Sequence, residues 1–413
     1  MTTTTTAHHP AAAAAPSFPR VAYLSADPGV PVFGSKGASV HVQEIVRSLR
    51  TRGSAVGLYA TRTGDLLPPD LADVTVRHIP VDGGGRDQAP AARTALRERN
   101  QAAAASRLAG HVMADGADLV YERYSLFSTA LAQVCSTLRI PGVLEVNAPL
   151  IEEQATHRHL VDEAGARHTL RTQVAAAAVV ACVSQPVADW VLGHCPGAAD
   201  KVLVTPNGVN TARIAPDTGV PAGDELPTVL FVGTLKPWHG TDVLLDAAAR
   251  ADRAWRVRIV GDGPEGPALA GQAQRLGLDV DFRGAVAPHE VPAALRGAAV
   301  AVAPYPADVG ATGQYFSPLK VYEYAAAGLP VVASRVGQVP VAVRHGHTGL
   351  LVPPSDPTSL ARAIDTLVAD PAGARAMGLA GRELMVREHS WDAVLGRILA
   401  PLQAVPSGQA VPA

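Results

Sequence analysis

The chain has 413 residues, more than one ordinary domain holds and enough for two of roughly 200 each. Apolar residues make up 47%, and the net charge is −2 with Lys and Arg scattered, which argues against a nucleic-acid partner. Acidic and basic residues also balance across residues 1–205, so that half lacks the basic excess of a protein that binds an anionic membrane.

Residues 1–18 lack the basic start and apolar core of a signal peptide and read as a disordered leader. No apolar run reaches 18 residues, so no transmembrane segment is expected. Cys135, Cys182 and Cys195 have neither zinc-ligand spacing nor an even count, which points to a reduced, cytoplasmic setting.

A short apolar strand is expected at 21–26, followed by the loop DPGVPVFGSKGAS, a helix from Val40 through Arg50 and a strand at 55–60. That is a βαβ unit, and its ligand edge lies at the carboxyl ends of its strands. The loop Gly34-Ser35-Lys36-Gly37 matches neither the P-loop nor the full dinucleotide fingerprint; it is either a substrate loop or a flexible turn. Further strands are expected at 74–79, 118–121, 142–146, 179–183 and 202–204, with a helix over 91–113. Asn147 falls just beyond a strand end, where ligands meet such sheets. Pro206-Asn207-Gly208 has turn chemistry and reads as an inter-domain turn, and 211–227, broken by prolines and glycines, reads as a linker. The rhythm then restarts with strands at 228–232, 256–260, 279–283, 300–303 and 349–352, and a last helix around Trp391.

Residues 315–334, YFSPLKVYEYAAAGLPVVAS, read as a short helix with Ser317 as N-cap, Pro318 at its first position and Gly328 past its end, leading into a buried strand. A helix N-terminus with Lys320 in its first turn and Glu323 one turn later suits a diphosphate attached to a ribose; an ordinary surface helix is the other reading. The expected organisation is a leader (1–18), a first βα-repeating domain (19–210), a linker (211–227), a second βα-repeating domain (228–388) and a C-terminal helix and tail (389–413).

Taken in order, VFGSKGASVHVQE, TPNGVN, FVGTLKPWHG, VGDGP, FRGAVAPHEVP and SPLKVYEYAAAGLPVVAS resemble the family-4 retaining glycosyltransferases of GT-B fold over residues 20–400. The resemblance implies an α/β protein of two Rossmann-like parallel-sheet domains facing a cleft, with the nucleotide sugar on the second and the acceptor on the first. Glu323 matches the second Glu of the family's Glu-x7-Glu motif, which holds the ribose, whereas the first falls on Tyr315, so Gln314 or Tyr315 is expected to substitute near the hexose. The family's phosphate-clamping Arg and Lys fall on Thr234 and His239; Lys236 and Lys320 are expected to carry the charge instead, with Thr234 and His239 as hydrogen-bonding helpers. Asn147 lies where many relatives carry a His that touches the donor sugar. Gly37, Gly233, Ser317 and Leu319 complete the expected donor contacts, and Lys236, Lys320 and Glu323 the expected catalytic set.

The resemblance also implies retention of configuration with no protein nucleophile, metal or cofactor, the departing phosphate taking the acceptor's proton. A UDP-sugar donor is favoured, and the acceptor is expected to be small and soluble, such as a natural-product or aminocyclitol scaffold, ahead of a lipid carrier or polysaccharide. A nucleotide-sugar 2-epimerase and a non-catalytic sugar-nucleotide-binding subunit are the rival classes. Asp279-Val280-Asp281 has the look of a metal motif, but solvated strand residues are the better reading. His41 is an active-site group or, preferably, a buried histidine; Glu122-Arg123 line the cleft or form an ion pair; Trp238 packs beneath the donor loop, the preferred reading, or touches the acceptor.

Overall fold

The computed structural model describes residues 18–85, 89–217, 226–307 and 315–403. Most of the leader, residues 218–225 of the expected linker, and Gln314 lie outside the described residues.

Two parallel sheets divide the chain. The first holds β1 (Arg20–Ser25), β2 (Ala55–Ala60), β3 (Thr75–His78), β4 (Leu119–Arg123), β5 (Gly142–Val146), β6 (Val179–Cys182) and β7 (Val202–Val204) in the order β3-β2-β1-β4-β5-β6-β7. The second holds β8 (Thr228–Val232), β9 (Arg256–Val260), β10 (Val280–Phe282), β11 (Val300–Ala303), β12 (Val331–Ser334) and β13 (Gly349–Val352) in the order β10-β9-β8-β11-β12-β13. In each, the order reverses beside the first strand, which opens a crevice at the carboxyl edge. The central strands are largely apolar because helices cover both faces, and β5, β6, β8, β11 and β12 have every residue buried, Glu145 of β5 included. Helices Leu150–His157, Glu163–Ala176 and Gln185–His194 fill the span between β5 and β7, where the sequence pattern was too weak to place them.

The chain passes between the halves twice, and the two passages are joined. The Val209 amide donates to the His389 carbonyl at 2.8 Å, and the Trp391 amide donates back to Val209 at 3.3 Å. Gly208 permits this approach: a Cβ there would lie 2.7 Å from Trp391 Cδ2 and 2.9 Å from its Cα. Helix Trp391–Leu399 then packs on the first half, where Trp391, Val394, Leu395, Ile398 and Leu399 join the core of β1, β2 and helix Gly37–Thr51. Trp391 is thus a core anchor, but for the sheet at the opposite end of the sequence. Arg382 secures the passage nearby, donating to the carbonyls of Thr211, Ile214 and Ala326 at 2.6–2.8 Å.

A candidate sugar-nucleotide site between two helix N-termini

The loops at the carboxyl edge of the second sheet are built around glycine. Gly233, directly after β8, has φ +153°, and a Cβ on it would come within 2.9 Å of Lys320 Nζ. The bare backbone there lets the ammonium come down onto the strand end. Lys320 belongs to helix Leu319–Ala326, which Tyr324 locks to β8: the Tyr324 hydroxyl accepts from the Val232 amide at 2.7 Å and donates to the Val232 carbonyl at 3.1 Å.

The Lys320 ammonium is enclosed and has no hydrogen-bond partner among the described residues. Aromatic faces surround it, Phe231 at 4.2 Å and Tyr305 at 5.3 Å from the ring centroids. Burial lowers its pKa to about 7, against the opposing pull of Glu323. Glu323, half-buried one turn along, is raised to about 7 by burial and by Glu44, while Arg213 and Lys320 work to keep it ionised. Three unused N–H donors on a desolvated cation, beside a carboxylate, amount to a site prepared for an anion and hydroxyls.

His239 has a different character. Its Nδ1 faces the Thr234 carbonyl at 2.5 Å and must donate, which leaves Nε2 as the acceptor in the neutral ring. Burial and Lys320 lower its pKa to about 4, so it is neutral near pH 7. The Thr234 side chain is exposed. Lys236 stands over the Trp238 ring, 5.6 Å from its centroid. Trp238 itself is 51% exposed, which overturns the expectation that it packs beneath the loop; with Lys236 it forms an outer wall.

The first half closes on the same helix. A Cβ on Gly37, which opens helix Gly37–Thr51, would lie 3.3 Å from Leu319 Cδ1. Two helix N-termini, neither capped by a side chain, therefore meet. The first turn at Leu319 differs from expectation. Pro318 rather than Ser317 occupies the N-cap, because Ser317 Oγ is engaged in accepting from the Asn207 amide at 3.1 Å. The Leu319 amide already donates to the Ser317 carbonyl at 2.9 Å, so it is not a free phosphate donor in this state.

Tyr315, where the family pattern has a carboxylate, donates its hydroxyl to Glu153 on helix Leu150–His157 of the other half. A carboxylate thus stands beside position 315, supplied from across the gap, and sequence reading had no signal for it. Asn147 follows β5 with its Nδ2 buried and unpartnered. The structure thus gathers Gly233, His239, Lys320 and Glu323 with Gly37, Ser317, Leu319 and Tyr315 around one junction.

Sequence reading also missed Arg213, Glu44 and Asn210. Asn210 Nδ2 donates to Glu44 at 2.9 Å, and Arg213 stands 4.0 Å from the same carboxylate. Other candidates turn out to be structural. His41 is buried at 2.6 Å from Glu145 with its ring against Trp391. Glu122 accepts from the Leu131 amide and Gln173, while Arg123 faces Glu145 at 3.8 Å on the other side of the strand. Asp281 is engaged by Arg258 and Arg283. Among the described residues no group of three or more His, Cys, Asp or Glu side chains could hold a metal.

The profile of glycosyltransferase family 4 matches residues 35–213, and that of glycosyl transferases group 1 matches residues 226–370. A D-inositol 3-phosphate glycosyltransferase of Streptomyces bingchenggensis is 30% identical, the match covering 86% of this chain and 82% of that one. The chain is a family-4 glycosyltransferase of GT-B fold. A GDP-mannose-dependent alpha-(1-6)-phosphatidylinositol monomannoside mannosyltransferase of Mycobacterium tuberculosis is 34% identical, covering 49% of this chain and 56% of that one. In fold, this glycosyltransferase resembles Anabaena Alr3699/HepE, solved with UDP, at TM-score 0.66, 19% identity and coverage of 94% of this chain and 100% of that one. It also resembles sucrose-phosphate synthase of Thermosynechococcus elongatus at TM-score 0.66, 24% identity and coverage of 93% and 99%.

Proposed function

We propose that the protein is a retaining hexosyltransferase that moves a sugar from a nucleoside diphosphate, UDP in the first instance, to a hydroxyl of a small soluble acceptor. The observation that carries this reading is the enclosed, unpartnered Lys320 ammonium with Glu323 one turn away, at a helix N-terminus facing Gly37. A diphosphate supplies the charge that Lys320 lacks, and ribose hydroxyls supply donors for Glu323. The UDP bound to the Anabaena structural neighbour and the D-inositol 3-phosphate in the Streptomyces relative's name support this reading. The GDP-mannose and phosphatidylinositol monomannoside in the mycobacterial relative's name are the alternatives that its test must separate from it.

In this reading the bond between the sugar's anomeric carbon and the phosphate oxygen breaks heterolytically. Lys320 and Lys236, with the helix N-terminus, offset the charge gathering on the diphosphate, so the leaving group needs no proton. The acceptor hydroxyl attacks from the face the phosphate is leaving, and its proton passes to that phosphate. Gly37, Asn147, Gly233, Thr234, Tyr315, Ser317 and Leu319 shape the donor site, and His239, neutral when the site is empty, accepts a hydrogen bond or gains a proton beside the diphosphate.

The test is donor hydrolysis and transfer, followed by mass spectrometry, across UDP-, GDP- and TDP-sugars. Lys320→Ala is expected to lower kcat/KM by at least ~10²-fold, about 2.7 kcal/mol of transition-state stabilisation. Turnover close to wild type in that variant would sink the assignment.

A further inference from the structure

A cavity of about 570 Å³ opens at the carboxyl edge of the first sheet. Its walls include Pro28 after β1, Arg62 after β2, His78 at the end of β3, and Arg93, Thr94 and Arg97 from the first turns of helix Pro90–Asp115. No carboxylate lines it among the described residues. Arg20, Arg47, Arg50, Arg77, Arg167 and Arg258 are ion-paired, whereas among the described residues none of Arg62, Arg93 and Arg97 has a carboxylate within salt-bridge distance. Arg62 makes one long contact, to the Pro28 carbonyl at 3.4 Å, and His78 Nε2 donates to the Thr61 carbonyl at 3.2 Å. Arg93 is half-buried and Arg97 exposed, and among the described residues neither guanidinium has a side-chain hydrogen-bond partner.

The cavity is tied to the sugar-nucleotide site by backbone. The loop that runs from β1 to Gly37 is fastened to the cavity wall, the Val32 amide donating to the Arg62 carbonyl at 3.1 Å and the Phe33 amide to the Thr63 carbonyl at 2.6 Å. All the strands of this sheet are parallel, so Gly37, Asn147 and the cavity share one edge.

We propose that this cavity is an anion subsite of the acceptor: the acceptor is a polyol carrying a phosphoryl group, held by Arg62, Arg93 and Arg97 while a hydroxyl reaches the donor. The guanidinium groups form planar forks suited to phosphate oxygens, and Thr94 adds a hydroxyl donor. Naming the ligand as the acceptor rests on the glycosyltransferase reading above; the presence of a phosphate-binding pocket does not. A soluble sugar or polyol phosphate and a phosphoinositide headgroup share this chemistry.

Calorimetry on the full chain separates the cases, with D-inositol 3-phosphate, unphosphorylated inositol and vesicles of phosphatidylcholine with and without phosphatidylinositol as probes. The expected result is saturable binding of the phosphorylated probe or of the phosphatidylinositol vesicles, with neither unphosphorylated inositol nor plain vesicles bound. Arg93→Gln with Arg97→Gln should weaken that binding at least ~10-fold, the Arg→Lys pair should retain more of it, and UDP affinity should be unchanged in both. Binding to the soluble probe assigns a soluble acceptor, and binding to vesicles assigns a lipid one. The subsite is overturned if no phosphorylated probe binds, or if the Gln pair binds as tightly as wild type. Failure of wild type to bind UDP strikes at the hexosyltransferase reading instead and leaves the pocket measurement standing.

Discussion

Lys320 and Glu323 show how a residue's chemistry is set by what folds around it. Both are pushed by burial towards neutrality and meet near pH 7. For Lys320 the folded value lies below the 10.5 of the free side chain, so the unfolded chain holds more protons between about 7 and 10.5. Its cost to stability is therefore full below about pH 7 and is relieved as the pH rises. For Glu323 the folded value lies above 4.5, so its cost builds between 4.5 and about 7 and is full above that. Lys320→Met removes the first cost and should raise Tm by a few degrees at pH 7, roughly 2–4 °C per kcal/mol, while abolishing activity. Scanning calorimetry at pH 7 and pH 10 checks this, and the gain should shrink at the higher pH. A variant less stable than wild type at pH 7 would mean that the ammonium is satisfied in the free protein. The same burial explains why local sequence could not rank the lysines: Lys236 and Lys320 are equally good candidates on paper, yet one stands on an exposed tryptophan and the other is enclosed beneath Gly233.

At the scale of elements, helix Leu319–Ala326 is only eight residues long and carries no side-chain cap, so tertiary contacts must hold it. Tyr324 supplies the main one through its two hydrogen bonds to Val232. Tyr324→Phe leaves a buried amide and carbonyl at the end of β8 short of a partner, which should cost about 1–3 kcal/mol. Chemical denaturation measures the loss, and UDP affinity should fall with it as the helix gains freedom against Gly233. A variant with wild-type stability would show that the strand end finds other partners. Much of this element was legible in the sequence, because Pro318 and Gly328 bracket it and the alanines pack against β12. Its exact start was not. Whether Ser317 caps its own helix or accepts from Asn207, 110 positions away, depends on a residue that only folding brings near.

Across the whole molecule, the two halves are coupled through helix Trp391–Leu399, which belongs to the core of the first sheet although it follows the second in sequence. A chain ending at residue 389 should leave the face covered by Val394, Leu395, Ile398 and Leu399 open to water and lose solubility. Trp391→Ala is the milder form, expected to cost about 3–5 kcal/mol and to lower the unfolding transition of the first half more than that of the second. A truncated chain that stays monomeric with an unchanged transition of its first half would show that the crossing is dispensable.

The repeated alternation of short apolar runs and helices and the Pro- and Gly-rich break after Asn210 were enough to read two parallel-sheet halves, because periodicity and turn chemistry are local properties of the chain, and the ordered motifs added the resemblance to family-4 glycosyltransferases. That Lys320 and Glu323 share one face of a short helix was legible for the same reason, since one helical turn separates them. Only the tertiary structure decided that the Lys320 ammonium is unpartnered, that Tyr315 meets Glu153, that Trp391 returns to the first sheet and that Arg62 shares a cavity with Arg93 and Arg97. Each of these depends on which faces meet after the strands order themselves, and residues that lie tens or hundreds of positions apart carry no local sign of their partner.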